Sequence, residues 1–499
     1  MAVRRPIRAQ ARAASQPACP APTTMMSYFE DFMTLQFSVA HAFLPVLVCV
    51  GQIVNLRPIG NRPVHEFGII YAPIASRPQV TNLPHKEREL KILVIGAGGR
   101  EHALCWKLAR SPLTSALYAA PGNPGIAEVA TCLATTDYLA AAESINADLT
   151  VVGPEAPLAA GIVDQFRSKG RRIFGPTAAA ARLEASKTFA KDFMRHAGIP
   201  TARYATVNTL HHARAKLRNF NLPVVLKADG LAAGKGVIIA NSEAEAEQGI
   251  TQLLTPGSTL VIEEFLTGEE VSFIVLSDGV HIMPLEPTQD HKAVFDGDRG
   301  PNTGGMGAYC DGRILSDFQK ALIMIQVIEP AIAQMRAEGQ PFTGFLYAGL
   351  MMTSQGPKVL EFNARLGDPE TQVLMHRMES DFVEPLYAAT EGQLEESELK
   401  WRTDPSVCVV LAAAGYPGAV QSGDKITGLD DVENATVFQA GTKLATVDLV
   451  TSGGRVLGVT ASGPTLSSAI NNTYEQVGKI HFEGMHYRKD IGQKGLKRW

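Results

Sequence analysis

Lys227-Ala-Asp-Gly-Leu-Ala-Ala-Gly-Lys-Gly-Val237 follows an apolar lead-in, Pro223-Val-Val-Leu226, and holds three glycines and two lysines, a composition suited to cradling phosphate. Its spacing is not that of a P-loop. That motif places four residues between its first glycine and a Gly-Lys pair, and follows the lysine with Ser or Thr to reach Mg²⁺. Here Gly230 and Gly234 enclose three residues, and Gly236 follows Lys235. A P-loop must also feed a helix, because the phosphate rests on the helix N-terminus. Leu222–Ala228 reads as one strand and Gly236–Ala240 as the next, which predicts a flexible hairpin flap instead. Lys227, at the end of the first strand, either extends its ammonium to water or aims it at an anion in a cleft.

A second glycine loop, Ile95-Gly-Ala-Gly-Gly-Arg-Glu-His102, misses the dinucleotide fingerprint because Glu101 stands where the third glycine is needed. It ends the apolar run Lys91-Ile-Leu-Val-Ile95, the signature of a buried parallel strand. Strands at Ala116–Ala119, Leu149–Val152 and Arg172–Phe174 alternate with helices expected at Glu101–Arg110 and Ala156–Lys169. That alternation predicts a doubly wound parallel sheet with ligands at the carboxyl ends of its strands, where Gly96–Gly99 and Gly153–Glu155 fall. Thr177 caps a further helix expected to run from Ala178 to His196 and to end at Gly198 and Pro200. Beyond the flap, Leu260–Phe265, Val271–Leu276, His281–Leu285, Gly344–Met352 and Lys358–Asn363 read as antiparallel strands, and short β segments dominate from about 405 onward. The class is therefore α/β and α+β in several domains.

A chain of 499 residues is long enough for roughly two to four domains. A net charge of -4 and a pI near 6.3 weigh against a nucleic-acid surface. The cysteines at 19, 49, 105, 132, 310 and 408 lie far apart, as reduced thiols of a cytosolic protein would. Residues 1–90 differ, with nine Lys or Arg against five Asp or Glu and no charge from Met33 to Leu56. They read as a membrane anchor weakened by His41, Pro45, Gln52 and Asn55, as an Arg-rich targeting segment, or as a non-native or disordered extension. The last is expected, because the organised α/β pattern begins abruptly at Lys91.

On the strand Lys358–Asn363 and just past it, Glu361, Asn363 and Arg365 project to one face. A carboxylate and an amide oxygen together suit Mg²⁺, and an arginine beside them suits a transferring phosphoryl group. A solvated polar face is the alternative. In Val261–Glu270 the strand passes from apolar residues to acids, which suits either an adenine and ribose pocket or an exposed strand end. The long loop from Asp290 through Gly300-Pro-Asn-Thr-Gly-Gly-Met-Gly307 is glycine-dense, as a backbone approaching a ligand would be. His291 within it has no second His or Cys at ligand spacing, so a hydrogen-bonding role is expected. There is no G-x-S-x-G elbow and no H-E-x-x-H.

The stretches Val94–Leu104, Ala120–Asn123, Val152–Leu158, Phe174–Thr177, Lys227–Val237, Glu263–Glu270, Gln289–Lys292, Gly300–Tyr309, Gly344–Met351, Glu361–Gln372 and Arg488–Gly492 together resemble the ATP-grasp superfamily. Within it they resemble the phosphoribosylamine–glycine ligases, from about Lys91 to Ile491. The resemblance implies an extension over 1–90, a substrate domain over 91–192, an ATP-grasp domain over 193–392 with its flap at about 205–285, and a β-rich domain over 393–499. It implies ATP and Mg²⁺ or Mn²⁺ as cofactors, and glycine and 5-phosphoribosylamine as substrates. No nucleic-acid or stable membrane partner is expected, and the chain is expected to act in the cytoplasm as a monomer or weak homodimer. Lys187, Lys227, Gly234, Lys235 and Gly236 would meet the nucleotide phosphates, with Glu263, Glu264, Phe265, Leu266 and Glu270 around adenine and ribose. Glu361 and Asn363 would hold the metal, with Arg365, Lys227 and Asp290 catalytic. Gly98, Gly99, Arg100, Glu101, Asn123, Glu155, Lys292, Asn302, Thr303 and Gly304 would meet the substrates, the Gly96–Gly99 loop taking a single ribose phosphate. One departure is the short segment Gln252–Leu260, which lacks a longer glycine-containing loop and touches only the flap.

Overall fold

In the computed structural model the chain forms two compact units, Met1–Leu83 and Pro84–Trp499. The structure describes residues 48–49, 52–53, 89–231 and 236–497. In the first unit, Val48–Cys49 and Gln52–Ile53 pair as antiparallel strands. The readings of the leader, and those of Gly234 and Lys235, lie outside the described residues.

In the second unit, Leu90–Gly96 is apolar on both faces, and all but Lys91 of its residues are buried. A strand covered on both faces belongs at the middle of a parallel sheet. It does so here, in a five-stranded sheet ordered Thr131–Cys132, Thr114–Pro121, Leu90–Gly96, Leu149–Val152, Ile173–Phe174, with every pair parallel. The order reverses at Leu90–Gly96, so the loops after it and after Leu149–Val152 open at one crevice. The helix expected at Ala156–Lys169 is two, Glu155–Ala159 and Ile162–Ser168, because Gly161 turns the chain with φ +81°.

The helix expected from Ala178 to His196 is also two, Ala178–Ala185 and Lys187–His196. Ser186 leaves the helix at φ −139°, ψ 112° and caps the second one through Phe189 N. The break comes from a distant residue. Asp229, at the base of the flap hairpin, accepts from Ser186 Oγ (3.2 Å), Lys187 N (2.6 Å) and Thr188 N (3.3 Å), so its charge sits on a fresh helix N-terminus.

Val224–Ala228 and Val237–Ala240 pair antiparallel, with Lys227 opposite Val237, so the opening stretch is a hairpin. They join Leu260–Glu264 and Tyr204–Val207 in a four-stranded sheet backed by the helices Leu210–Leu217 and Glu243–Leu253, with a small core of its own around Leu226, Ile250 and Leu260. The largest sheet has nine strands. It runs from Gly356–Asn363 through Thr343–Thr353, Glu269–Asp278, Thr288–Asp290 and Gly307–Cys310 into Ser406–Ala412, Arg455–Ser462 and Thr436–Gln439. Strands from the C-terminal part thus continue the sheet that carries Glu361 and Asp290. The C-terminal helix Leu466–Val477 packs on this sheet beneath a capping box at Thr465.

Among the described residues no helix is long and apolar enough to cross a membrane, and Cys105, Cys132, Cys310 and Cys408 are free.

Candidate active site

The flap hairpin, the helix Lys187–His196, the strand pair Thr343–Thr353 and Gly356–Asn363, and the loop after Thr288–Asp290 enclose a cavity of about 570 Å³. Its flap end is apolar. Val225, Val237 and Ile239 line it from the hairpin, Ala190 and Met194 from the helix, Phe265 and Leu266 from the loop after Leu260–Glu264, and Met351 and Leu360 from the strand pair opposite. A flat aromatic ring fits such a slot.

Cations gather where the slot ends. Lys227 is only 8% exposed, so it does not reach for water. Its Nζ donates to the Leu360 carbonyl (2.9 Å) and lies 3.1 Å from Glu263 Oε2. Lys187 Nζ donates to the Gly230 carbonyl (2.8 Å). Lys191, one helical turn on from Lys187, lies 3.1 Å from the same Glu263 oxygen and donates to Thr201 Oγ1 (2.7 Å). Lys191 escaped the sequence reading, although its i,i+4 spacing from Lys187 places both lysines on one helix face. Glu263 is 1% exposed, with its other carboxylate oxygen unpartnered among the described residues. Its side chain therefore ties two lysines together at the cavity wall. Glu264 accepts from Arg203 N (3.0 Å), and Glu270 is bonded to Lys292.

Burial drops the Lys191 ammonium to about 8, against the opposing charge of Glu263. The native state therefore sheds a proton that the unfolded chain keeps up to about 10.5, so unfolding free energy rises with pH across that window. Lys191→Met is expected to remove this rise. Urea titrations at pH 7.5, 9 and 10, read as wild type minus variant, check it; parallel pH profiles would refute it.

Beyond the lysines lies an acidic patch. Asp290, Glu270, Glu361 and Glu370 face the cavity around Lys292, whose Nζ is 3.8 Å from Glu361 Oε1. Burial, reinforced by Glu370, Glu270 and Glu361, pushes the Asp290 carboxyl well up against the pull of Lys292. Glu361 moves the other way. Burial would raise it, but Lys292, Lys227, Arg365 and Lys187 outweigh burial and hold it below its ordinary value. An ionised carboxylate beside the Asn363 amide is a hard donor pair, which suits a divalent ion that keeps most of its waters. The described residues contain no group of three or more His, Cys, Asp or Glu at ligand distance, so the closed cage of a structural metal is not built here. Arg365 pairs with Glu184 (2.9 Å) and Glu155 (3.3 Å); burial opposes its charge, but these carboxylates hold its pKa above the ordinary arginine range.

The far end is lined by Arg100, Glu155, Asp368, Asn302, Thr303, Gly304 and Arg455. Arg455 comes from the C-terminal part, donates to the Gly304 carbonyl (2.6 Å) and pairs with Asp368 (2.8 Å). No local pattern marks it in the sequence. Gly98, Gly99, Glu101 and Asn123 are not among the described residues that line the cavity. Glu101 turns its carboxylate back onto Gly98 N (2.6 Å) and Arg100 Nε (2.6 Å), and fills the space beside Gly96 and Gly153. The carboxylate thus closes a capping box on the N-cap amide of its own helix. Asn123 is spent on backbone, donating to the Ala97 and Gln439 carbonyls (2.8 Å each) and accepting from Ile126 N (2.9 Å). His291 also departs from expectation. It is 1% exposed, both ring nitrogens lack a hydrogen-bond partner among the described residues, and burial, with Arg488 and Lys494 nearby, lowers its pKa to about 3.

Family models for phosphoribosylglycinamide synthetase match the chain throughout this region: the N domain at residues 90–184, the ATP-grasp (A) domain at 185–371 and the C domain at 406–494. The phosphoribosylamine–glycine ligase of Escherichia coli (strain K12) is 50% identical over 426 residues, spanning 82% of this chain and 99% of that one. That of Yersinia pestis is 50% identical, over 82% of this chain and 100% of its own length. Among solved structures, the phosphoribosylamine–glycine ligase of Thermotoga maritima superposes with a TM-score of 0.71 at 35% identity, covering 80% of this chain and all of that one. A biotin carboxylase of Campylobacter jejuni superposes with a TM-score of 0.61 over 82% of this chain and 96% of its own, at 15% identity, a likeness of fold alone. With matches this long on a cavity built of nucleotide-sized slot, lysines and acidic patch, the chain belongs to the phosphoribosylamine–glycine ligase family of ATP-grasp enzymes.

Proposed function

We propose that the chain joins glycine to 5-phosphoribosylamine, driven by cleavage of ATP to ADP and phosphate, to form glycinamide ribonucleotide in purine nucleotide synthesis. The observation that carries this reading is the single cavity in which an apolar slot, three lysines, an ionised Glu361 beside Asn363, and Arg365 follow one another. In the first step a glycine carboxylate oxygen attacks the γ-phosphorus of ATP and the bond to the β,γ-bridging oxygen breaks, giving glycyl phosphate and ADP. In the second, the amine of phosphoribosylamine attacks the acyl carbon. The carbon–oxygen bond to phosphate breaks, phosphate leaves, and the nitrogen loses a proton as the amide forms. Neither step needs a protein nucleophile, so rate enhancement comes from positioning and from charge placed where charge develops.

Lys187 and Lys227 grip the nucleotide phosphates, and the flap hairpin closes over them. Lys191 acts from below, sharing Glu263 with Lys227 and so fixing where the Lys227 ammonium stands. Glu361 and Asn363 hold Mg²⁺ or Mn²⁺, which neutralises phosphate charge when bound. Arg365 stabilises the phosphoryl group in flight. The surplus of carboxylates around Asp290 suits the glycine ammonium as well as the metal. Arg100, Glu155 and the Asn302–Gly304 turn face phosphoribosylamine. The expected compartment is the cytoplasm, in keeping with the free thiols of Cys105, Cys132, Cys310 and Cys408.

ADP release by the purified protein is expected to require glycine and phosphoribosylamine together, as followed by a coupled assay. Release that proceeds with bicarbonate in place of glycine, or without phosphoribosylamine, would assign the cavity to a different ATP-grasp reaction.

A further inference from the structure

The loop that brings Asn302 and Thr303 to the cavity is a two-stranded hairpin, Ala293–Phe295 paired with Arg299–Asn302. A hairpin of that size is marginal on its own in water, and this one is poorly supplied with apolar contacts. Phe295 is half exposed with its ring edge-on to His486, and among the described residues Val294 belongs to a small cluster with Met306, Ala412 and Tyr416. Asp298 at its tip holds a left-handed φ of +55° without being glycine, a conformation that persists only when its surroundings impose it.

What imposes it is the segment around Arg488, which no step above uses. The Arg488 side chain is 0% exposed. Its guanidinium forks onto Asp490 through Nε and Nη2 (2.7 Å each), and its Nη1 donates to Asp298 Oδ1 (2.9 Å) and to the Ala293 carbonyl (3.1 Å). Asp490 accepts from Gly297 N (2.9 Å), and Lys489 N donates to Asp296 Oδ1 (2.8 Å). The hairpin's first strand and its turn are therefore both bonded to one buried cation and its carboxylate. At the other end, Thr303 donates to the Lys292 carbonyl through N (2.7 Å) and Oγ1 (2.8 Å). A shift of the hairpin therefore moves Lys292 and Thr303 together.

We propose that Arg488 is a positioning residue: it seats the 293–302 hairpin from the C-terminal part of the chain, and so sets where Lys292 and Asn302–Gly304 stand at the substrate end of the cavity. This rests on the ligase reading of that end, whereas the seating of the hairpin is measurable without it. A lysine at 488 keeps the charge but loses the planar fork, which alone can face Asp490 and reach Asp298 and Ala293 together.

Arg488→Lys and Arg488→Met are each expected to lower kcat/KM for glycine and phosphoribosylamine on the order of 10- to 100-fold, the effect of a small misplacement of binding groups. The Kd of ATP, whose slot the clamp does not touch, should change less than about twofold. Without any substrate, amide hydrogen exchange at Thr303 and Met306 should quicken in both variants. Asp298→Asn, a substitution on an exposed turn, keeps the proposal testable should the buried variants fail to fold, and should shift the same readouts in the same direction. A folded variant with wild-type exchange at Thr303 overturns the seating, whatever the substrates prove to be. Faster exchange with unchanged substrate constants overturns the link from hairpin to site. Equal losses for ATP and for the substrates reduce Arg488 to a general stabiliser.

Discussion

Arg365→Ala should lower kcat by on the order of 10³- to 10⁵-fold, the range over which an arginine facing a transferred phosphoryl group acts. Arg365 sits at the head of the acidic patch, paired with Glu184 and Glu155. Those partners fix its fork before any ligand arrives, so little ordering remains to be done as charge develops. Removing it has a second consequence. Glu184 is 8% exposed, and burial already lifts its pKa despite Arg365 and the Ala364 N–H. Without the guanidinium Glu184 is expected to take up a proton rather than remain a bare buried charge. Activity and stability must therefore be measured separately, by single-turnover ADP formation and by thermal melting. Arg365→Lys keeps charge without the fork and should fall between wild type and alanine. If alanine costs less than tenfold in single turnover, Arg365 only holds Glu155 and Glu184 in place.

The two glycine loops show how far the sequence could be read, and where it stopped. That Lys227–Val237 feeds a strand was legible, because Gly236 is followed directly by Val237-Ile-Ile-Ala240, an apolar run of strand length. The role of Asp229 was not, since its partners lie 41 to 43 positions away on a helix that, from composition, should have run unbroken. Apolar spacing runs on from Ala178 to His196, and the break at Ser186 comes from its own cap on Phe189 N together with the distant Asp229 carboxylate. Glu101 presents the same physics. Its failure to be glycine was visible, but not that it would turn back and bond its own loop, a choice set by the space that Gly96 and Gly153 leave open. Arg455 meets the site, and Arg488 the hairpin beside it, because the nine-stranded sheet carries the C-terminal strands alongside Gly307–Cys310. Chain order gives no sign of such a juxtaposition. Glu361 and Asn363 differ: alternation on one strand made them candidates beside a solvated-face alternative, the family resemblance implied a metal there, and both line the cavity.

Glu361→Gln should reduce metal-dependent turnover by about 10³-fold or more. A metal ion supplies several kcal/mol of charge stabilisation at a phosphoryl centre, and each decade of rate corresponds to about 1.4 kcal/mol. Glutamine keeps the length and one oxygen but not the charge, and with Asn363 would leave two neutral donors, a poor match for a strongly hydrated dication. Stability should barely move, by no more than about 0.5 kcal/mol, as for substitutions away from packed features. Glu361 is 39% exposed toward the cavity, and Lys292 keeps Glu270 as its partner. The pH dependence separates this account from a solvated polar face. Four cations hold Glu361 below its ordinary pKa despite burial, so it stays ionised at pH 5, and its share of metal affinity is lost as pH falls through that lowered pKa. Isothermal titration of Mg²⁺ in the presence of a non-hydrolysable ATP analogue should give a much weaker affinity for Glu361→Gln than for wild type, by nearly the same ratio at pH 7 and at pH 5, since protonation of the nucleotide itself is common to both proteins. Equal affinity in the variant would move the metal to other donors, with Glu370 and Asp290, which line the same cavity, the next candidates.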